Sequence, residues 1–164
     1  MIRIRTSRDV PACVAIAIKV HDTDGYPHFL PGDFESFLVR PDAMNAWVAE
    51  DDGKVVGQVS LHRSTMREAM ECASAFAGVG PESLAVVARL MVAPESRGLR
   101  IGQSLLTTCT EHARELGLTP MLDVVTSSHH AIELYERCGW TRAGEVRSTL
   151  SNGATLDEFV YLYI

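Results

Sequence analysis

The sequence predicts a single α/β domain, residues 1–164, in which helices flank a mixed sheet. Two hairpin signals, Asp51-Asp52-Gly53 and Ser151-Asn152-Gly153, join strand-like runs directly to strand-like runs. Between them, apolar strand-like segments alternate with amphipathic helical ones, the pattern of an α/β chain. The resulting order is strand-helix-helix-strand-strand-helix-strand-helix-strand-helix-strand-strand, with no internal repeat and no low-complexity stretch.

Each element follows from local pattern. "IRIR" alternates as a short strand, and Ser7-Arg8-Asp9 opens a helix through "VPACVAIAIKVH", with Pro11 tolerated in its first turn. "HDTDGYPHFLPGD" reads as a turn-rich loop, "DFESFLVR" as a short helix ending before Pro41, and "NAWVAED" and "KVVGQVSLHR" as antiparallel strands about the first hairpin turn. Met66, Met70, Ala73 and Ala77 recur at helical spacing before the breakers Gly78, Gly80 and Pro81, so residues 64–83 read as a helical insertion between strands. "LAVVARLMVAP" is the strongest strand, and "IGQSLLTTCTEHARELG" is an amphipathic helix stopped by Gly117. "TPMLDVVT" is a buried strand and "SHHAIELYERCG" a helix capped by Gly139. "WTRAGEVRSTL" and "ATLDEFVYLYI" alternate about the second hairpin turn.

Composition narrows the function classes. The chain is 46% hydrophobic and 22% charged, an ordinary balance for a globular domain, and its 164 residues suffice to bury a sizeable core without disulfides. A formal charge of −6 speaks against nucleic acid or an anionic membrane as partner, because both reward clustered Lys and Arg. Cys13, Cys72, Cys109 and Cys138 lie far apart with no C-x-x-C pair, so they read as reduced thiols rather than a zinc site or disulfide framework. No apolar leader core and no run of roughly 18 apolar residues is present, and the expected location is the cytoplasm.

The chemistry concentrates in "MVAPESRGLRIGQSLL", residues 91–106. A strand, then a loop rich in Gly and Arg, then a helix start brings free backbone N–H groups and the positive end of a helix dipole together, which suits an anion such as phosphate. It is not a P-loop, which needs Lys and Ser or Thr at the helix start, and Gly98 to Gly102 lacks the G-x-G-x-x-G spacing of a dinucleotide site.

At this point the chain resembles the GNAT superfamily of N-acetyltransferases, whose coenzyme A signature is Q/R-x-x-G-x-G/A after a V-x-P strand end. "VAPESRGLRIG" supplies Arg97 and Gly102, with Arg100 where the first glycine is usual. The second signature, an Asn before A-I-x-L-Y-x-x-x-G-F, is matched by "SSHHAIELYERCGW", with Ser128 at the Asn position and Trp140 at the Phe. The resemblance covers residues 45–145 most strongly, and the order of the terminal elements agrees with the family's sheet. It implies a mixed, mostly antiparallel sheet with splayed central strands, acetyl-CoA as co-substrate, and transfer of acetyl to a primary amine by direct attack in a ternary complex.

Carried over residue by residue, the resemblance gives the pyrophosphate to Arg97, Gly98, Leu99, Arg100, Ile101, Gly102, Gln103 and Ser104, with Ser128 added from the second motif. Arg100 either loosens the turn or meets a phosphate with its guanidinium. The pantetheine arm is expected along the backbone of Leu90, Met91 and Val92, one of whose N–H groups can also polarise the thioester carbonyl. Tyr135 takes the place of the family's thiolate-protonating tyrosine, and a phenol with a pKa of about 10 suits that task at neutral pH. Asp123, on the face of Met121 and Val125, stands where some relatives carry an acidic base, although a structural hydrogen-bonding Asp is an equal reading. The fourth strand offers Ala88 and Arg89 and no acid there.

In "HDTDGYPH", Asp24, Tyr26 and His28 are the expected contacts to the acceptor, and the spacing matches no standard metal-ligand pattern, so no metal is expected. The acceptor is expected to be a small-molecule amine or a protein amino group. The alternative is a coenzyme-binding or structural domain without turnover, motivated by Arg100 and Ser128; the oligomeric state, a homodimer included, stays open.

Overall fold

Alternating burial and turn chemistry produce seven strands and five α-helices in the computed structural model of the chain, which describes residues 1–30 and 32–164. Pro31, inside the predicted loop at 21–33, lies outside the described residues. The strands are β1 (Ile2–Ile4), β2 (Ala43–Asp51), β3 (Lys54–His62), β4 (Leu84–Val92), β5 (Thr119–Val125), β6 (Thr141–Thr149) and β7 (Thr155–Leu162). The helices are α1 (Val10–Asp24), α2 (Phe34–Leu38), α3 (Arg67–Ala77), α4 (Ile101–Glu115) and α5 (His129–Arg137). This is the order read from the sequence. The strands run β1-β2-β3-β4-β5-β7-β6 across one sheet, antiparallel between β1 and β2, β5 and β7, and β6 and β7, and parallel between β4 and β5.

The chain divides into two compact units, Met1–Leu61 with Ala88–Cys109, and His62–Val87 with Thr110–Ile164. In the first unit, β1 lies on β2 in the register Ile2 to Ala49 and Ile4 to Trp47. The apolar face of α1 places Cys13, Ile16, Ala17 and Val20 against Leu38, Val48, Met91 and Ala93. Asp9 fixes the start of α1: its carboxylate accepts the Thr6 N–H (2.7 Å) and both arms of the Arg3 fork (2.8 Å each). The Asp33 side chain caps α2 by accepting the Ser36 N–H at 2.7 Å. One difference from the sequence reading is at the end of α1, which continues three residues past His21 to Asp24 before Gly25, at φ 74°, stops it.

In the second unit, β5 pairs with β7 and β7 with β6, while β4 meets β5 only over Leu84–Val86 against Thr119–Met121. β4 runs on to Val92 and β5 to Val125, so the parallel register ends well before either strand does. The predicted helical insertion is α3, followed by a 3-10 turn at Pro81–Ser83. α3 lies over one face of β6 and β7, and Gly144 admits it: a Cβ there would stand 2.9 Å from the Cys72 sulfur.

Candidate functional site

The glycine-arginine loop lies in the first unit. β4 ends at Val92, Pro94–Ser96 make a 3-10 turn, and Arg97, Gly98, Leu99 and Arg100 lead into α4. Gly98 sits at φ 86°, as a residue without Cβ readily does, and Arg100 sits at φ 59°. Arg100 therefore adopts the left-handed backbone that a glycine would supply at this signature position, which answers the question its identity raised: the turn is kept and the arginine bears the steric cost. The first intrahelical bond is Ser104 N–H to the Arg100 carbonyl (3.1 Å), so the N–H groups of Ile101, Gly102 and Gln103 come before it, as at any helix start. Arg100, Gln103, Ser104, Thr107 and Thr108 line a shallow polar concavity of about 380 Å³.

Arg97 is engaged elsewhere. Its guanidinium forks onto the Asp24 carboxylate at 3.1 and 2.5 Å, so an expected coenzyme residue and an expected acceptor residue are brought together as an ion pair. Beneath the loop, Ala93 N–H donates to Val56 (2.8 Å), and Gly57 permits a close approach of backbone to backbone. A Cβ on Gly57 would lie 2.9 Å from the Met91 carbonyl oxygen and 3.0 Å from Leu105 Cδ1. The Leu90-Met91-Val92 segment is thus positioned by packing at its back.

The same unit gathers a cluster that sequence reasoning did not assign. Arg89 is left-handed, at φ 56°, in the middle of β4, which turns its carbonyl out of the ladder. The fully buried Gln58 side chain donates to that carbonyl at 3.1 Å, and its Oε1 accepts from Arg5 Nη1 at 3.0 Å. Arg5 also donates to the Leu38 carbonyl, and Arg89 Nε donates to the Phe37 carbonyl at 3.0 Å. The Arg89 guanidinium stacks on the Phe37 ring, 3.9 Å from its centroid, and Tyr26 meets that ring edge-on at 5.9 Å. Tyr26 therefore reaches β4 through Phe37, whereas His28 is exposed. The signal in the sequence was a Gln and an Arg on strands rich in Val, Leu and Met.

The second unit holds Asp123 and Tyr135. In the β5–β7 register Asp123 faces Val160 and Val125 faces Glu158, so the two carboxyls share a sheet face. Glu158 is 7% exposed. Burial first, then the charge and hydrogen bond of Asp123, push its carboxyl up to about 8, against relief from Ser148. Thr65 Oγ1 donates to Asp123 Oδ2 at 3.2 Å. Sequence reasoning named Asp123 and missed Glu158; the available signal was a Glu at an inward position of Leu156, Glu158, Val160 and Leu162.

Tyr135 packs on the other side of this sheet. Its ring lies 6.1 Å from Tyr161 and 6.3 Å from Trp140, and Tyr161 alternates with Val160, the residue facing Asp123. Tyr161 is held in turn by its hydroxyl, which donates to Glu136 (2.7 Å) and accepts from Arg142 Nε (3.0 Å). Ser128 is the N-cap of α5, but its side chain makes no capping bond; its N–H donates to the Val125 carbonyl at 2.9 Å. The four cysteines are unbridged, and burial pushes the Cys13 thiol up to about 11. Among the described residues no group of three or more His, Cys, Asp or Glu is arranged to hold a metal ion, and no helix is long and apolar enough to cross a membrane.

Known proteins match the chain in sequence and in fold. A family model described as "Acetyltransferase (GNAT) family" matches residues 15–140. A probable N-acetyltransferase, camello, of Xenopus tropicalis is 31% identical over 112 residues, which is 68% of this chain and 45% of that protein. The chain thus spans less than half the length of that relative. In three dimensions it resembles the ribosomal-protein-alanine N-acetyltransferase of Brucella melitensis, with 25% identity, TM-score 0.72, and coverage of 100% of this chain and 99% of that one. It also shares the fold of Arabidopsis thaliana NAA60 in complex with acetyl-CoA, at 18% identity and TM-score 0.71 over 99% and 97% of the two chains.

Proposed function

The chain belongs to the acetyltransferase (GNAT) family, and from that premise we propose that it transfers acetyl from acetyl-CoA to a primary amine. The observation that carries this reading is the loop from Arg97 to Gly102, which keeps the left-handed turn of a phosphate cradle even though Arg stands in the glycine position. The Brucella protein is named for an alanine acceptor, the NAA60 structure is a complex with acetyl-CoA, and both share the fold. They support an acyl-CoA co-substrate and an amino group as acceptor, in a small molecule or a protein.

In the proposed reaction the free amine attacks the thioester carbonyl directly in a ternary complex. The new C–N bond forms as the C–S bond breaks, an N–H group of Leu90, Met91 or Val92 donates to the carbonyl oxygen, and the departing thiolate takes the Tyr135 hydroxyl proton. Asp123, which lies on the opposite sheet face from Tyr135, receives the proton lost by the acceptor through water. Glu158 beside it already holds a proton into the neutral range, so the two carboxyls do not both have to be charged at once.

Titration calorimetry with coenzyme A, followed by thiol release from acetyl-CoA over a broad amine panel, tests the reading. Binding in the calorimeter and turnover with at least one amine are expected. A folded protein that binds no coenzyme A refutes it, and binding without turnover of any amine selects the non-catalytic alternative.

A further inference from the structure

Within the first unit, Arg5 and Arg89 are half-buried guanidiniums joined through the buried Gln58, and among the described residues neither has a carboxylate partner. Withdrawing a cation from water costs free energy that a protein normally recovers with a paired anion. Arg3 and Arg40 of this unit follow that rule, held by Asp9 and Glu50 and by Asp42, and Arg97 is paired with Asp24, whereas Arg8 and Arg100 are exposed to water and carry no such cost. Capping α2 accounts for only part of the cluster. That helix is five residues long, Arg5 already serves the Leu38 carbonyl, and Arg89 uses only Nε to serve Phe37. The four Nη hydrogens of Arg89 have no acceptor among the described residues, and they form the flat, forked edge that matches a carboxylate.

We propose that Arg89 recognises a carboxylate of the acceptor, so that the acceptor is a small amine that also bears a carboxylate, as a free α-amino acid does. Arg89 immediately precedes Leu90, Met91 and Val92 in the chain, the segment assigned to the thioester, and its guanidinium lies over the Phe37 ring that Tyr26, assigned to the acceptor, also meets. The Phe37 stack and the bond to the Phe37 carbonyl fix the plane of the guanidinium, so little side-chain freedom is lost when an anion docks. The proposal rests on the acetyltransferase reading above.

The test measures coenzyme A thiol release with the free L-amino acids, each beside its own α-amide, at fixed acetyl-CoA. The amide has the less basic amino group and offers more free amine at neutral pH, so a preference for the acid runs against nucleophile supply. For the best acceptor, kcat/KM is expected to favour the acid about tenfold or more, the scale of a charge-assisted hydrogen bond. Arg89→Met should bring the acid-to-amide ratio to one or below by raising KM for the acid, and Arg89→Lys should keep part of the preference. Because the ratio is internal to each variant, a partial loss of folded protein does not move it. If Arg89→Met does not fold, the ratios of the native protein and of Arg89→Lys still decide. Equal rates for acid and amide in the native protein, or an unchanged ratio in Arg89→Met, would overturn the proposal and leave Arg89 as a helix cap. Turnover restricted to amines without a carboxylate overturns it while sustaining the acetyltransferase reading, whereas no turnover with any amine removes both.

Discussion

Replacing Arg100 by Gly separates two things that one side chain does. The backbone at φ 59° costs an L-residue with a Cβ roughly 1–2 kcal/mol relative to its ordinary conformations. Glycine removes that cost but loses about 0.5–1 kcal/mol more backbone entropy on folding. The net expectation is a gain of about 0–1.5 kcal/mol, a rise in Tm of up to about 6 °C for a chain of this size. The guanidinium sits at the edge of the polar concavity with Gln103, Ser104, Thr107 and Thr108, exposed to water and salt, so a phosphate contact there strengthens coenzyme A binding only about two- to fivefold. Arg100→Gly should therefore raise Tm and weaken coenzyme A binding together. Arg100→Ala keeps the Cβ and loses the charge, so it should weaken binding without raising Tm. Thermal denaturation of the three proteins and calorimetry with coenzyme A at low and high salt read both effects. A Tm for Arg100→Gly at or below that of Arg100→Ala would refute the strain argument, and tighter coenzyme A binding by Arg100→Gly would refute the phosphate contact.

Three further substitutions probe other parts of the chain. Glu158 has a folded-state pKa raised from an ordinary 4.5 to about 8, so its protonated form stabilises the fold fully below about pH 4.5, and that contribution is lost as pH rises through 8. The Tm difference between Glu158→Gln and the native protein should thus turn in favour of the variant as pH rises from about 5 to 8, and a pH-independent difference would show that the carboxyl is not held protonated. Tyr135→Phe removes only a hydroxyl, and should lower kcat for acetyl transfer while leaving coenzyme A affinity nearly intact; equal kcat would take Tyr135 out of the proposed chemistry. Gly57→Ala puts a Cβ 2.9 Å from the Met91 carbonyl and 3.0 Å from Leu105, and should cost about 1–3 kcal/mol, read as a Tm loss of several degrees; an unchanged Tm would show that the β3 backbone can shift away from β4 without cost.

What the sequence revealed and what it hid divide along the range of the interactions involved. Helix and strand order was legible because it rests on local signals: alternation in "KVVGQVSLHR", the Asp52-Gly53 turn with both residues at positive φ, and helix stops at Gly78 and Gly117, both left-handed. The loop at 97–102 was legible for the same reason, since its motif is contiguous. Asp123 was noticed as an acid on a buried strand, but its partner Glu158 is 35 positions away, and only the β5–β7 register sets the two on one face. Arg97 and Asp24 were each picked out for a different role, and nothing local said that α1 would extend far enough to pair them. Arg89 is the sharpest case. As a lone arginine in an apolar strand it reads as a residue that fails to supply an acid. Its left-handed backbone, the Gln58 side chain that satisfies its carbonyl, and the Phe37 ring beneath its guanidinium come from three separate elements, so the property that marks it, a fixed cation with no anion beside it, exists only once those elements have met.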